Sequence, residues 1–458
     1  MSLAESRWQR TLTLCGLYVA QGIPWGFMLI TLPSYLSYEK GIGDAEIGRL
    51  KGIILLPWSF KLIWAPLIDS VTIRSMGRRR PWILLAEVMM AVTLLGFVGL
   101  GDVSSSIRYL LLMYFLHNCF ASLQDVATDA LALDVLPFHE QGQANALMWA
   151  SKLFGKGIAA AGLAVVLKYW GLTACVSLQI AALLGIMLIP LCLIERPGER
   201  RLPWGGSVTQ EVEAPSVRNP MIVLREMLRG FSLTTTAMYV VFTLLSLLGS
   251  GLNEVVTNTL YTQHLTPRWT AVEFSTAAGF YATFPILAGS WMGGWFSDRY
   301  GRHPLLIAGL GVYAVSAFLF GLNPSLWNVR PVALTYVLLS ETLAAIISVG
   351  FISLAMRISW TTAAATLFTT YMTLSNVSHM LGNWLAGPVR AAWKFGVESE
   401  GADLRSYQLT FLTVAALSLV PLMFLMWVRP SEVDRQKADD ETRRLREISS
   451  AEPTAQAG

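Results

Sequence analysis

Runs of about 20 predominantly apolar residues recur along the whole of this chain, and that length is what a helix needs to cross a bilayer. By this criterion the 458-residue sequence predicts spans near 11–36, 46–69, 82–100, 108–134, 141–167 and 171–194, then near 231–263, 271–297, 304–322, 331–356, 362–390 and 405–428. The fold class that follows is an all-α membrane protein with twelve transmembrane helices in two six-helix bundles. Residues 1–194 make the first bundle and 231–428 the second. Between them, 195–230 is rich in Pro, Gly and charge and reads as a linker whose first part is disordered. The charged tail, 429–458, is too polar to span and is expected to be disordered.

Composition agrees. Hydrophobic residues make up 54% of the chain and charged residues 14%, roughly half the charge fraction of a soluble domain. A soluble chain of this length needs far more polar surface over its core, so the surplus apolar surface must face lipid. Arg7 and Arg10 precede a first apolar run that is too long for a signal-peptide core and lacks a small-residue cleavage site. That run reads as a retained span. Most of the 34 Lys and Arg fall on the termini, the linker and the loops on their side. The positive-inside rule then places both termini and the linker in the cytoplasm, predicting a multi-pass protein of the cytoplasmic membrane.

Several function classes fall away. A net charge of +4, with no basic patch interleaved with aromatics, gives no footprint for nucleic acid. Cys15, Cys119, Cys175 and Cys192 sit in apolar stretches, match no metal spacing and read as small packing residues. The chain has no GxxxxGK[ST] motif, and its five histidines include no HExxH spacing. An enzyme and a self-powered pump are therefore disfavoured, and no cofactor or metal is expected. A receptor would need a soluble output domain that a tail of about 30 residues cannot form. What remains is a secondary transporter, expected to be monomeric, with a small-molecule substrate, protons and membrane lipids as its partners.

The two halves carry matching signals. WAPLIDSVTIRSMGRRRPW follows the second span and GGWFSDRYGRHP the eighth. Asp69 and Asp298 lie half a chain apart, and each ends a span ahead of a Gly-Arg pair, Gly77-Arg78 and Gly301-Arg302. GGWFSDRYGRH is similar to the signature loop of the major facilitator superfamily. That resemblance implies six helices in each half, with the transport path between the halves at mid-membrane. Asp69 beside Arg78 and Arg79, and Asp298 beside Arg299 and Arg302, are suited to charge-assisted hydrogen bonds to neighbouring helix ends, a latch for one conformation. The alternative is that these arginines serve only the positive-inside rule.

Ionisable residues within a span cost roughly 2.5–3.5 kcal/mol each on insertion scales. The densest group lies in the fourth span, HNCFASLQDVATDALALDVL. Asp125 and Asp129 are one turn apart on one face, with Asn118 on nearly the same stripe. Their mutual repulsion suits a proton carrier; the alternative is neutralisation by lysines of neighbouring spans. At 1.5 Å per residue, Asp125, Lys152 and Lys61 lie about 16, 18 and 14 Å from the cytoplasmic ends of their helices. In that shared layer, pairing and proton coupling are compatible. Asp134, on the opposite face, reads as a boundary residue.

Four stretches, LYVAQGIPWG, LPWSFKLIWAPLID, GRRRPW and LQDVATDALALDVLP, extend over roughly residues 17–157. They resemble the AmpG-like muropeptide permeases and the acetyl-CoA transporters, one branch of the superfamily. The resemblance implies proton coupling by Asp125 and Asp129, and it matches Lys152 to a basic residue of the permeases' fifth helix. The second half departs from that branch. The expected substrate is first a cell-wall-derived amino-sugar peptide such as an anhydro-muropeptide, then acetyl-CoA or another nucleotide conjugate, then a siderophore or drug. Candidate solute contacts are Gln21, Lys61, Gln124, Lys152 and Lys156, with Glu254 and His379 from the second half. For His379 the favoured alternative is an interior hydrogen-bonded histidine. Glu254 lies in GSGLNEVVTNTLYTQ, which reads as unwound. Glu341 is a further carboxylate in apolar context, and Arg390 and Lys394 are expected to snorkel to the interface. FGKGIAAAG and LGNWLAGP read as close-packing and hinge segments. Trp25 and Trp149 are the aromatic candidates for stacking on a sugar or base.

Overall fold

The computed structural model describes residues 3, 5–70, 76–98, 107–197, 199–200, 225, 228–360, 364–395 and 402–451. Most of the expected linker, its predicted disordered part included, lies outside these residues, as does the side chain of Asp69. Helices account for nearly all of the rest. They are α1 (Arg7–Lys40), α2 (44–70), α3 (Arg80–Leu95), α4 (Ile107–Val135), α5 (138–170), α6 (172–192), α7 (Thr234–His264), α8 (271–300), α9 (Arg302–Leu322), α10 (Arg330–Ile358), α11 (Ala364–Lys394), α12 (Ala402–Leu425) and α13 (Pro430–Ala451). Six helical runs among the described residues are long and apolar enough to cross a membrane. Large apolar side chains such as Leu112, Leu188, Trp291 and Phe318 stand exposed on their outer faces, where lipid rather than water is the fitting neighbour.

Glycines set the breaks. Gly171 (φ 79°) separates α5 from α6, and Gly77 (φ 95°) and Gly301 (φ 97°) occupy matching turns ahead of α3 and α9. Only glycine adopts this left-handed backbone without steric cost. The repeat seen in sequence is therefore a repeat of turn geometry.

Both chain ends lie on one side. Leu3 donates its N–H to the Ile194 carbonyl, and Arg10 pairs with Glu140 at 3.0 Å. In the second half, His303 meets the Val428 carbonyl and Asp434 pairs with Arg357 at 3.1 Å. This face is called the terminal side below.

Two expectations are corrected. The tail is not disordered through Ala451, because Pro430–Ala451 is helical. The run carries four Arg and three Glu; it is too polar to span, yet both residue types have high helix propensity. Its first turn is tied down, with the Glu432 carboxylate accepting from Thr235 N at 2.9 Å and Thr235 Oγ1 at 2.5 Å. Glu254 does not sit in an unwound stretch: the helical interruption in α7 is at Leu247, and Glu254 lies in the regular turn Leu248–Thr259. The nearby π-helical turn, Leu260–His264, is at the far end of α7.

Small residues bring α1 against α5. A Cβ on Gly22 would collide with the Lys152 carbonyl and stand 2.8 Å from Lys156 N, and one on Gly26 would strike the Lys156 carbonyl. These neighbours are backbone and cannot turn aside. We expect Gly22→Val to destabilise the protein by more than the ~1–3 kcal/mol typical of core overpacking. Gly162→Ala, which meets nothing within 4 Å, should be neutral. Thermal unfolding in detergent would show the two apart.

Candidate functional site

Within the first bundle, α4 presents Asp125 between two lysines. Lys61 of α2 closes on Oδ2, and Lys152 Nζ of α5 lies 3.4 Å from Oδ1. Asp125 and Lys152 are buried. The ammonium of Lys152 also sits over the rings of Trp25 (4.5 Å) and Trp58 (4.4 Å), while that of Lys61 lies 4.6 Å from the Trp58 ring. Cation–π attraction at such desolvated sites is about 2 kcal/mol, which helps hold two cations against one carboxylate. One turn along, Asp129 is exposed and accepts from Tyr18 Oη at 2.5 Å. The predicted shared layer of Lys61, Asp125 and Lys152 is thus a single cluster. The aspartates within it differ: Asp125 is the neutralised one and Asp129 the accessible one.

Gln21 and Gln124, expected at the solute, face inward instead. Gln21 donates to Gln124 at 2.5 Å, and Gln124 donates to the Glu87 carboxylate at 3.0 Å. All three are buried, so they form a polar chain inside the bundle. Of the aromatic candidates, Trp25 packs on Trp58 with centroids 5.2 Å apart, and Trp149 stays exposed beside Lys152.

A second cluster joins the two halves. Glu254 Oε1 of α7 accepts from Lys51 Nζ of α2 at 2.8 Å, and Oε2 lies 3.1 Å from His379 Nε2 of α11. Lys51, Lys156, Glu254 and Glu341 line a central cavity of about 20 Å³, room for roughly one water molecule. Lys51 was missed in the sequence, although a lysine inside a predicted span is itself the signal. Glu87 and Tyr18 were missed too.

On the side away from the termini, polar bonds close the halves together. Arg390 of α11 reaches Asp44 at the start of α2 at 3.1 Å, and Asp44 also accepts from Thr259 of α7. Asn258 donates to Ser34 at 2.7 Å, Ser37 bonds Thr262 at 2.6 Å, and Gln263 donates to the Ile42 carbonyl at 2.8 Å. Arg390 does not snorkel. It is buried, its guanidinium 3.4 Å from the Tyr407 ring centroid, because an acidic partner on the facing half outcompetes the interface. Lys394 pairs with Asp403.

The expected terminal-side latch is only partly visible. Among the described residues no ion pair involves Asp298, which is exposed. Arg299 lies over Trp295 and Tyr300 of its own helix, and Arg302 donates to Ser353 Oγ at 2.7 Å. In the first half, Arg79 pairs with Asp134 at 2.8 Å, giving that boundary residue a partner. The Glu195 carboxylate accepts backbone N–H bonds from Arg78 and Arg79 at 3.1 and 2.8 Å, and also from Arg80.

The geometry therefore has two helical bundles, charge buried at their centre and contacts that close one side. The sequence model of the Major Facilitator Superfamily matches residues 14–383. The chain belongs to that superfamily. The anhydromuropeptide permease of Escherichia coli K12 is 29% identical over 210 residues, 45% of this chain and 41% of that one. An uncharacterized protein of Haemophilus influenzae is 30% identical over 147 residues, 32% of this chain and 34% of that one. The matched region thus spans less than half the length of these curated relatives. Among solved structures, a bacterial homolog of the human lysosomal transporter Spinster, inward-facing and unoccupied, gives a TM-score of 0.70 at 14% identity. It covers 94% of this chain and 99% of its own. A D-xylose-proton symporter gives 0.66 at 12% identity over 90% of this chain and 97% of its own. These likenesses establish the fold. Superfamily membership makes the chain a multi-pass membrane transporter rather than an enzyme.

Asp44→Asn removes the anion from the closed layer. A Ser34→Cys reporter, buried in that layer, should then react several-fold faster with a membrane-impermeant maleimide added from the side opposite the termini. Unchanged protection would mean that the pair does not hold this side shut.

Proposed function

We propose that the protein is a proton-coupled importer of a polar or anionic organic solute, an anhydro-muropeptide first among candidates, in the cytoplasmic membrane. The observation that carries this reading is the split pair on α4. Asp125 is buried between Lys61 and Lys152, while Asp129, one turn away, is exposed on the surface of the fold and hydrogen-bonded to Tyr18. An accessible carboxylate next to a charge-balanced buried one gives a proton somewhere to bind. Protonation there changes the field on Asp125, and a lysine freed from Asp125 is a cation able to move. The partial likeness to an anhydromuropeptide permease supports the solute class.

The charge bias of the loops supports cytoplasmic termini. With that orientation, the side closed by Asp44 and Arg390 is the outer one. The conformation is then inward-facing, and it is the state in which the Spinster homolog was solved. That Asp298 has no ion pair among the described residues agrees with an unlatched cytoplasmic side.

The test is uptake by the purified protein in liposomes of labelled anhydro-muropeptide, acetyl-CoA and a siderophore, with and without an inward proton gradient. Accumulation of the muropeptide should require the gradient and rise as the outside is acidified. Asp129→Asn should lower gradient-driven accumulation at least tenfold while the protein still inserts. Asp125→Asn alone strands the buried Lys152 beside a partly buried Lys61, a loss of roughly 3–5 kcal/mol by analogy with broken buried pairs. The double variant Asp125→Asn/Lys152→Met is therefore the folding control. Accumulation that survives in Asp129→Asn, or that ignores the gradient, would refute proton coupling through this pair.

A further inference from the structure

The two charge clusters differ in what happens when the halves move. Lys61, Asp125 and Lys152 all belong to the first bundle, on α2, α4 and α5. A rigid rotation of one bundle against the other carries that cluster along intact. The pair Lys51–Glu254 is different, because α2 supplies the lysine and α7 the carboxylate. Lys51 lies seven residues along α2 from Asp44, about 10 Å deeper at the helical rise. Opening the closed side must draw these partners apart. Lys51 is buried, its side chain 2% exposed, and among the described residues its ion pair is with Glu254, so separation leaves a buried ammonium without that partner. Such a charge keeps its place only if another anion arrives as Glu254 leaves. Glu254 has a second contact to fall back on, His379 at 3.1 Å, and both side chains are partly open, 21% and 27% exposed. The adjoining cavity holds about 20 Å³, too little for a solute while Glu254 fills the space beside Lys51.

We propose that Lys51 is the anion-binding residue of the solute site, and that a carboxylate on the solute displaces Glu254 from it. Glu254 acts as a placeholder that keeps Lys51 neutralised in the empty carrier. The tie and the bound solute are alternatives: opening of the closed side draws Glu254 away and frees Lys51 for the incoming carboxylate, and the return of Glu254 as that side closes releases the solute toward the terminal side. This inference rests on the anionic-solute reading above and adds the residue that reads the charge. A single ammonium matches a singly charged carboxylate. Lys156, on the wall of the same cavity, offers a further cation for a solute with a second acidic group.

The experiment uses full-length protein in detergent and two probes, 1,6-anhydro-N-acetylmuramic acid and its neutral methyl amide, with binding measured by calorimetry. Wild type should bind the acid at least tenfold more tightly than the amide. Lys51→Gln should bind the two alike, and Glu254→Gln should bind the acid several-fold more tightly than wild type does. The double variant Lys51→Gln/Glu254→Gln removes both charges, should fold if Lys51→Gln does not, and should also lose the preference. A preference for the acid that survives in the lysine variants overturns the proposal, as does Glu254→Gln weakening acid binding. If wild type binds neither probe but transports acetyl-CoA or a siderophore, the muropeptide reading fails. The same variants, tested with the transported anion and its neutral derivative, then decide the role of Lys51.

Discussion

An unpaired charge cannot stay in the apolar layer of a membrane, and the centre of this protein is arranged around that constraint. Asp125 has two lysines, and one of those lysines also has two tryptophan faces. Glu254 has a lysine and a histidine. Glu87 has the amide of Gln124. Each group was brought out of water at a cost of several kcal/mol, and each is offset by a partner on a different helix. These pairings fix the rotation of α1, α2, α4, α5, α7 and α11 about their axes more tightly than apolar contact does, because apolar side chains are indifferent to which lipid-like neighbour they meet.

The small residues complement the charges. Gly22 and Gly26 let α1 reach the backbone of α5, and a Cβ on Gly48 would strike the Asn383 carbonyl of α11. On the other flank of the molecule, Gly157 and Gly279 bring α5 against α8. The halves therefore meet along two seams of bare backbone. One of these, between α2 and α11, ends at the Asp44–Arg390 pair. Smooth seams with a polar clasp at one end are the form that a rocking motion between two rigid bundles requires.

Much of the fold was legible in the chain. Apolar run length placed the helices, and the matched Asp…Gly-Arg segments announced the two halves, because lipid imposes one length scale on every span. The layer shared by Lys61, Asp125 and Lys152 followed from helical rise alone. What failed did so for local reasons. Glu254 looked unwound because Gly249 and Gly251 precede it, yet the interruption fell at Leu247. The tail looked disordered because charge was equated with disorder, whereas a charged run can be a good helix. Arg390 looked like an interfacial arginine because its partner Asp44 is far off in sequence.

The sequence by itself determined that this is a helical membrane protein of the major facilitator fold, with carboxylates and lysines inside its apolar runs. Those properties depend on hydrophobic length and on rise per residue, which are local quantities. Only the tertiary structure decided which charges pair. It put Gln21 and Gln124 inside the first bundle, left Asp129 open while Asp125 was neutralised, and joined Lys51 to Glu254 across the interface. Helix rotation and the contact between the halves set those outcomes. Both depend on interactions between residues far apart in the chain, which no periodicity within one span encodes.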